Sequence, residues 1–358
     1  MLIWLLTSSF GSFSGGPALV DGNTFNYIGR LSSFHGDRMM WHPTDPDLII
    51  YPSGNKLLKY SVSKNSSSDF FTFNGYSEVT STGLYGGEGA PSKDGRYWMG
   101  APKNSSGNYD LVTFDSATNT VVGTIPLPAG WGPSQLQSSP LNNWSISRKG
   151  NFIVTQSLEG WTTRSGIAVP RGLNVWSLKG ALLRTFSGSG SAWHIDLAVD
   201  TDGFDVAVIV GDAGLDSAGY KVRQLRSWRL DGSYGQTPRN EGPTDMTRES
   251  WHISAPMQAD GWAFVSSNGN HQSNTYAKEA SLFNHIYAAK LDGSKRVAVI
   301  ANARHPKENA SGMSNYFYES HATARPDGSM VAWTSVWNYN AMSSPPISHL
   351  YVARGKPK

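Results

Sequence analysis

The 358-residue chain contains no cysteine. Disulfide staples, thiolate nucleophiles and thiolate metal ligands are excluded together, while the compartment stays open. Charge is sparse as well: Asp, Glu, Lys and Arg make up 16% of the residues, and the formal net charge is +3. No Lys/Arg run interleaves with stacking aromatics, so no nucleic-acid partner is expected. The apolar start, Met1 to Phe10, is too short to cross a bilayer and lacks a basic flank, so no membrane span is expected. Residues 1–20 are read as a signal remnant or an irregular N-terminal segment. Long amphipathic helical patterns are also missing.

What is present suits sheets. Aromatics make up 12% of the chain, with 13 tryptophans and 38 glycines. A polar-Gly pair followed by a short apolar strand recurs at Asp94-Gly95, Lys149-Gly150, Asp202-Gly203, Asp260-Gly261 and Asp327-Gly328. Such a pair between period-two apolar runs signals a hairpin, because glycine accepts the positive φ of a tight turn. A sixth copy starts at Met40-Trp41-His42-Pro43 and runs into Leu48-Ile49-Ile50-Tyr51, with proline chemistry at its turn. Spacings of roughly 50 to 70 residues match four-stranded propeller blades with some long loops.

Third strands follow in each unit, for example Leu57 to Val62, Asp110 to Asp115, Leu173 to Leu178 and His285 to Leu291. The expected fold is all-β: a single β-propeller over residues 1–358, with six or seven four-stranded blades. The ring is expected to close by pairing the N-terminal strand, Thr24 to Leu31, with the C-terminal strand, Ser348 to Ala353. Closure leaves no open sheet edge.

Blades around an axis bring equivalent inner-strand positions together. Aligned by distance to the turn, these positions read Arg38 or Met39, Glu88, Asn143, His194, His252 and His321, with Trp144, Trp193 and Trp251 beside them. Imidazoles, a carboxylate and an amide supply acid/base or metal chemistry, and tryptophan faces suit stacking on sugar rings. The competing view is structural: each histidine hydrogen-bonds a neighbouring blade and the tryptophans pack between sheets. The glycine run at Tyr85 to Gly89 has no helix after it, so no phosphate-cradling loop or organic cofactor is expected. Asp45, Asp47, Asp196 and Asp200 form no compact calcium loop, and turn or strand-end roles are expected for them.

The stretches Trp251-His252-Ile253-Ser254, Gly261 to Ser266, Ile286 to Gly293 and Tyr318-Glu319-Ser320-His321 to Trp337 resemble a group of secreted bacterial propellers. Trp41 to Tyr51 and the block from His321 to Ser335 are similar to the oligogalacturonate lyase and TolB-like propellers. The resemblance covers about two thirds of the chain and implies fold more than function. The lyase family carries a metal on three histidines and a glutamine. Here His194, His252 and His321 answer to the histidines, with manganese, zinc or calcium as the expected ion, but no glutamine stands near His321.

Two functions follow. In the first, the chain is a polysaccharide lyase acting by β-elimination on a uronic-acid glycan, with an acidic polysaccharide or oligosaccharide as partner. Arg38, Arg248 and the metal would neutralise the carboxylate, while His194, His252, His321 or Tyr318 would move protons. Glu88, Asn143, Trp144, Trp193, Trp251 and Glu319 would line the substrate site. In the second, the propeller binds a glycan or protein without turning it over. The Ser/Asn/Gly/aromatic balance points to a secreted or periplasmic protein, expected as a monomer.

Overall fold

The computed structural model describes residues 3–6, 18–21, 24, 27–30, 39–79, 91–136, 140–187, 195–215, 221–242, 250–268, 285–303, 322–335 and 349–355. The described parts are all-β and built mostly from antiparallel meanders; Tyr76–Val79 with Pro102–Asn104 and Trp161–Thr162 with Ala168–Val169 form two-stranded sheets of their own. The chain divides into two compact units, Met1–Leu183 and Arg184–Lys358.

The first unit opens with a three-stranded sheet, Ile3–Leu6, Ala18–Asp21 and Tyr27–Arg30. A four-stranded sheet follows, Met40–Trp41, Leu48–Ser53, Lys56–Ser61 and Ser66–Thr72. Next come Tyr97–Gly100, Asp110–Asp115 and Thr120–Pro126, then Leu141–Ile146, Phe152–Ser157, Gly172–Ser177 and Leu182–Phe186, the last strand running across the unit boundary. The described residues of the second unit form three sheets. They are Ile195–Val199, Asp205–Leu215, Lys221–Arg229, Arg239–Asn240; then Ser250–Ser254, Trp262–Asn268, His285–Lys290, Val297–Asn302; then Thr323–Ala324, Met330–Ser335, His349–Arg354.

Burial differs sharply between strands. Ile195–Val199 is buried at every position, as is Asp110–Asp115, whereas Ser66–Asp69 and Thr120–Val121 are exposed. Strands covered on both faces carry near-continuous apolar runs, while the outer strand Ser66–Thr72 carries Ser and Asp that discourage pairing with other chains. Apolar clusters fill the spaces between consecutive sheets: Ile50, Leu57, Phe71, Trp98 and Phe114 form one, with Phe71 and Phe114 stacked at 3.8 Å. Val208, Val210, Leu225, Ile253, Val265 and Tyr287 form another. Face-to-face sheet packing of this kind keeps the same order along the chain.

The turn glycines serve two ends at once. Gly95, Gly150, Gly261 and Gly328 have φ of +72°, +73°, +83° and +69°. A Cβ on them would lie 2.7 Å from His42, 2.7 Å from Tyr97, 2.9 Å from Thr201 and 2.9 Å from Ala259, each on the preceding sheet. Glycine is therefore required both by the left-handed backbone and by the close approach of one sheet to the next.

Candidate functional site

The strand Ser250–Ser254 carries His252, whose side chain is only 7% exposed. In the pairing with Trp262–Asn268, His252 stands opposite Ser266 and Ser254 opposite Phe264. Alternate residues share a face, so His252, Ser254 and Ser266 lie on one side of this sheet. Ser266 Oγ accepts the Ala322 N–H at 3.3 Å, and Ser254 Oγ accepts the Ala324 N–H at 3.2 Å. The His252 face is thus turned toward the strand Thr323–Ala324, which begins two residues after His321.

The other face of the same sheet packs on the preceding one. Ile253, Ala255 and Val265 meet Ala198, Val206 and Val208 in a single apolar cluster. At its rim the Asp196 carboxylate, 6% exposed, accepts the Leu197 N–H at 2.7 Å and the Ala255 N–H at 2.6 Å. Charge-assisted bonds to two backbone amides offset the cost of burying that carboxylate. Trp251 stands opposite Ser267, whose Oγ accepts the His285 N–H at 3.2 Å.

Asn143 and Trp144 lie in the first unit, on Leu141–Ile146. Asn143 is 7% exposed and stands opposite Gln156, which itself accepts a bond from Asn142 Nδ2 at 3.0 Å. Trp144 packs among Met99, Leu111, Ile153 and Trp176, and its Nε1 has no hydrogen-bond partner among the described residues. His194, His321, Arg38, Arg248, Tyr318, Glu88, Trp193 and Glu319 lie outside the described residues. Among the described residues no group of three or more His, Asp or Glu side chains is placed to hold a metal ion. Imidazole donors suit zinc, and His252 is the described member of the expected set.

Other charged groups, taken unit by unit, are structural. His42 Nδ1 accepts the Asp45 N–H at 3.2 Å and its ring packs on Trp98 at 5.6 Å; burial pushes this imidazole below its usual range, against the pull of Asp45. Asp47 is bonded by Ser61 and Ser63, and Asp200 by its own turn and by Arg229 Nε at 2.8 Å. Arg229 lies over the rings of Phe204 and Tyr234 at 3.9 and 4.3 Å. Burial raises the Tyr234 hydroxyl above its ordinary value. The cross-sheet roles of Asp196, Ser254 and Ser266 carry no sequence motif of their own beyond a polar residue two positions after His194 or His252.

No family model and no curated protein matches the sequence. Solved structures do. The chain is similar to an oligogalacturonate lyase in complex with manganese, at 12% identity over 95% of this chain and 82% of that one, with a TM-score of 0.56. It is similar to the oligogalacturonate lyase of Vibrio parahaemolyticus at 11% identity, covering 99% of this chain and 86% of that one, with a TM-score of 0.54. The β-propeller domain of the Trilobed protease from Pyrococcus furiosus aligns at 12% identity over 99% of this chain and 92% of that one, with a TM-score of 0.52. At such identities the likeness shows a β-propeller fold and leaves the activity to the site. Among the described residues no helix is long and apolar enough to cross a membrane.

Proposed function

We propose that the chain is a polysaccharide lyase that cleaves a uronic-acid-containing glycan by β-elimination. One observation carries most weight: the face bearing His252 is turned to the strand that follows His321. In sequence, His321 precedes that strand by two residues. The fold-level likeness to two oligogalacturonate lyases supports the same substrate class.

The chemistry assigns each residue a task. Arg38 and Arg248 neutralise the uronate carboxylate, which acidifies the C5 proton. A base among His194, His252 and Tyr318 takes that proton, the C4–C5 double bond forms, and the C4–O bond breaks. A second member of the set protonates the leaving oxygen. His194, His252 and His321 would hold a divalent ion, which supplies further stabilisation of the developing negative charge. Glu88, Asn143, Trp193, Trp251 and Glu319 line the sugar, with Trp144 behind Asn143 in the core.

In this proposal residues 1–358 form one secreted or periplasmic, monomeric propeller of six or seven blades, closed by the N- and C-terminal strands. The test is incubation with a panel of acidic polysaccharides. Each β-elimination creates an unsaturated uronate that absorbs in the ultraviolet. Growth of that absorbance on one member of the panel is expected; binding without it on every member would make the propeller a glycan-binding module instead.

A further inference from the structure

The two Trp-His-Ile motifs, Trp193-His194-Ile195 and Trp251-His252-Ile253, are each followed by a short polar residue, Asp196 and Ser254. Each of these two side chains bonds a backbone amide of the next sheet in order: Asp196 Oδ2 accepts from Ala255 at 2.6 Å, and Ser254 Oγ from Ala324 at 3.2 Å. The receiving amides are themselves buried, Ala255 at 4% and Ala324 at 9% exposure. From these contacts we propose that Ser254 is a positioning residue, which fixes His252, two places before it on the same strand, relative to the next inner strand.

The physical basis is the strand period. A residue and its second neighbour share a face, so a bond made at one anchors the other in height and in distance from the facing strand. Apolar packing alone permits small slides between sheets, because dispersion contacts have little direction. A hydrogen bond to a buried amide does not slide, since breaking it leaves that amide unsatisfied. Ser266 doubles the restraint at the second junction: it stands opposite His252 and accepts the Ala322 N–H at 3.3 Å. His252 is thus flanked along its strand by Ser254 and across the ladder by Ser266, both tied to the strand after His321. The Asp196 carboxylate makes the matching cross-sheet bond at the first junction, to the Ala255 N–H.

The role assigned here rests on the lyase proposal for its functional meaning but is tested without it. The full chain, labelled at its histidine rings, is compared with Ser254→Ala and Ser254→Thr by imidazole carbon–proton correlation spectra at fixed pH. Histidine substitutions assign the peaks, and His42, held in the first unit against Trp98, is the internal reference. Ser254→Ala is expected to move the His252 peak, with His42 unmoved. Ser254→Thr, which keeps an acceptor oxygen, is expected to restore it most of the way. An unmoved His252 peak in the folded alanine variant would overturn the proposal, as would a failure of Thr to restore it. If the peak responds but no acidic polysaccharide yields unsaturated product, the lyase function fails and the positioning role stands.

Discussion

The Asp196 carboxylate accepts the backbone N–H of Ala255, a residue of the next sheet, at 2.6 Å. Its other oxygen takes the N–H of Leu197 at 2.7 Å. Replacing Asp196 by Ala strips two buried amides of their acceptor, at an expected cost of about 3 kcal/mol. Asparagine keeps one acceptor oxygen and should lose about half as much. Urea unfolding of the two variants measures the difference.

Gly203 and Gly261 offer a controlled comparison, because their φ values are +84° and +83°. A Cβ on Gly203 meets nothing within 4 Å, whereas one on Gly261 lies 2.9 Å from Thr201 Cγ2. Alanine at either site costs about 1 kcal/mol for the left-handed backbone. At Gly261 the stiff, β-branched Thr201 must also yield, adding roughly 1 kcal/mol or more. Gly261→Ala should therefore melt several degrees below Gly203→Ala.

The Asp200 side chain is fully buried and paired with Arg229 Nε at 2.8 Å. Arg229→Met leaves that carboxylate without its main partner, which should cost about 3 kcal/mol. Adding Asp200→Asn removes the stranded charge, so the double variant should recover part of the loss. A double-mutant cycle by thermal unfolding reads this directly.

Asp292 should set part of the acid limit of stability. Burial pushes its carboxyl up, but bonds from Lys290 and from the Ser294 side chain and N–H outweigh burial and hold it at about 2. Because the folded value lies below the unfolded one, its contribution is present above about pH 4 and fades as the pH falls through about 2. Lys290 and Asp292 are both partly open to solvent, so that contribution should not exceed about 1 kcal/mol. Asp292→Asn should lower stability near neutral pH and leave it unchanged near pH 2.

The turns were the legible part of this fold, since Gly95, Gly150, Gly261 and Gly328 announce themselves by type. That each also touches the preceding sheet was not legible, because His42, Tyr97, Thr201 and Ala259 share no residue type. The histidine register was only half legible. Counted back from the turn glycine, His194 and His252 stand nine residues away, but Glu88, Asn143 and His321 stand seven. At seven residues in the second unit stand Asp196 and Ser254, the pair that bonds the next strand. Positions two apart share a face, so a period-two pattern hides such an offset. Trp144 beside Asn143 shows a further limit: on a strand buried on both faces, alternation gives no sign of which side chain reaches solvent.

The central claim is that His252 and His321 act together on a uronate. The direct measurement is the initial rate of ultraviolet absorbance growth, on the acidic polysaccharide that the parent protein degrades, for His252→Ala and His321→Ala. Each histidine contributes to the transition state as ligand or proton carrier and little to the core, so both rates should fall by roughly two orders of magnitude or more with the fold intact. Rates equal to the parent in both variants would contradict the account and leave these histidines as packing residues of the propeller.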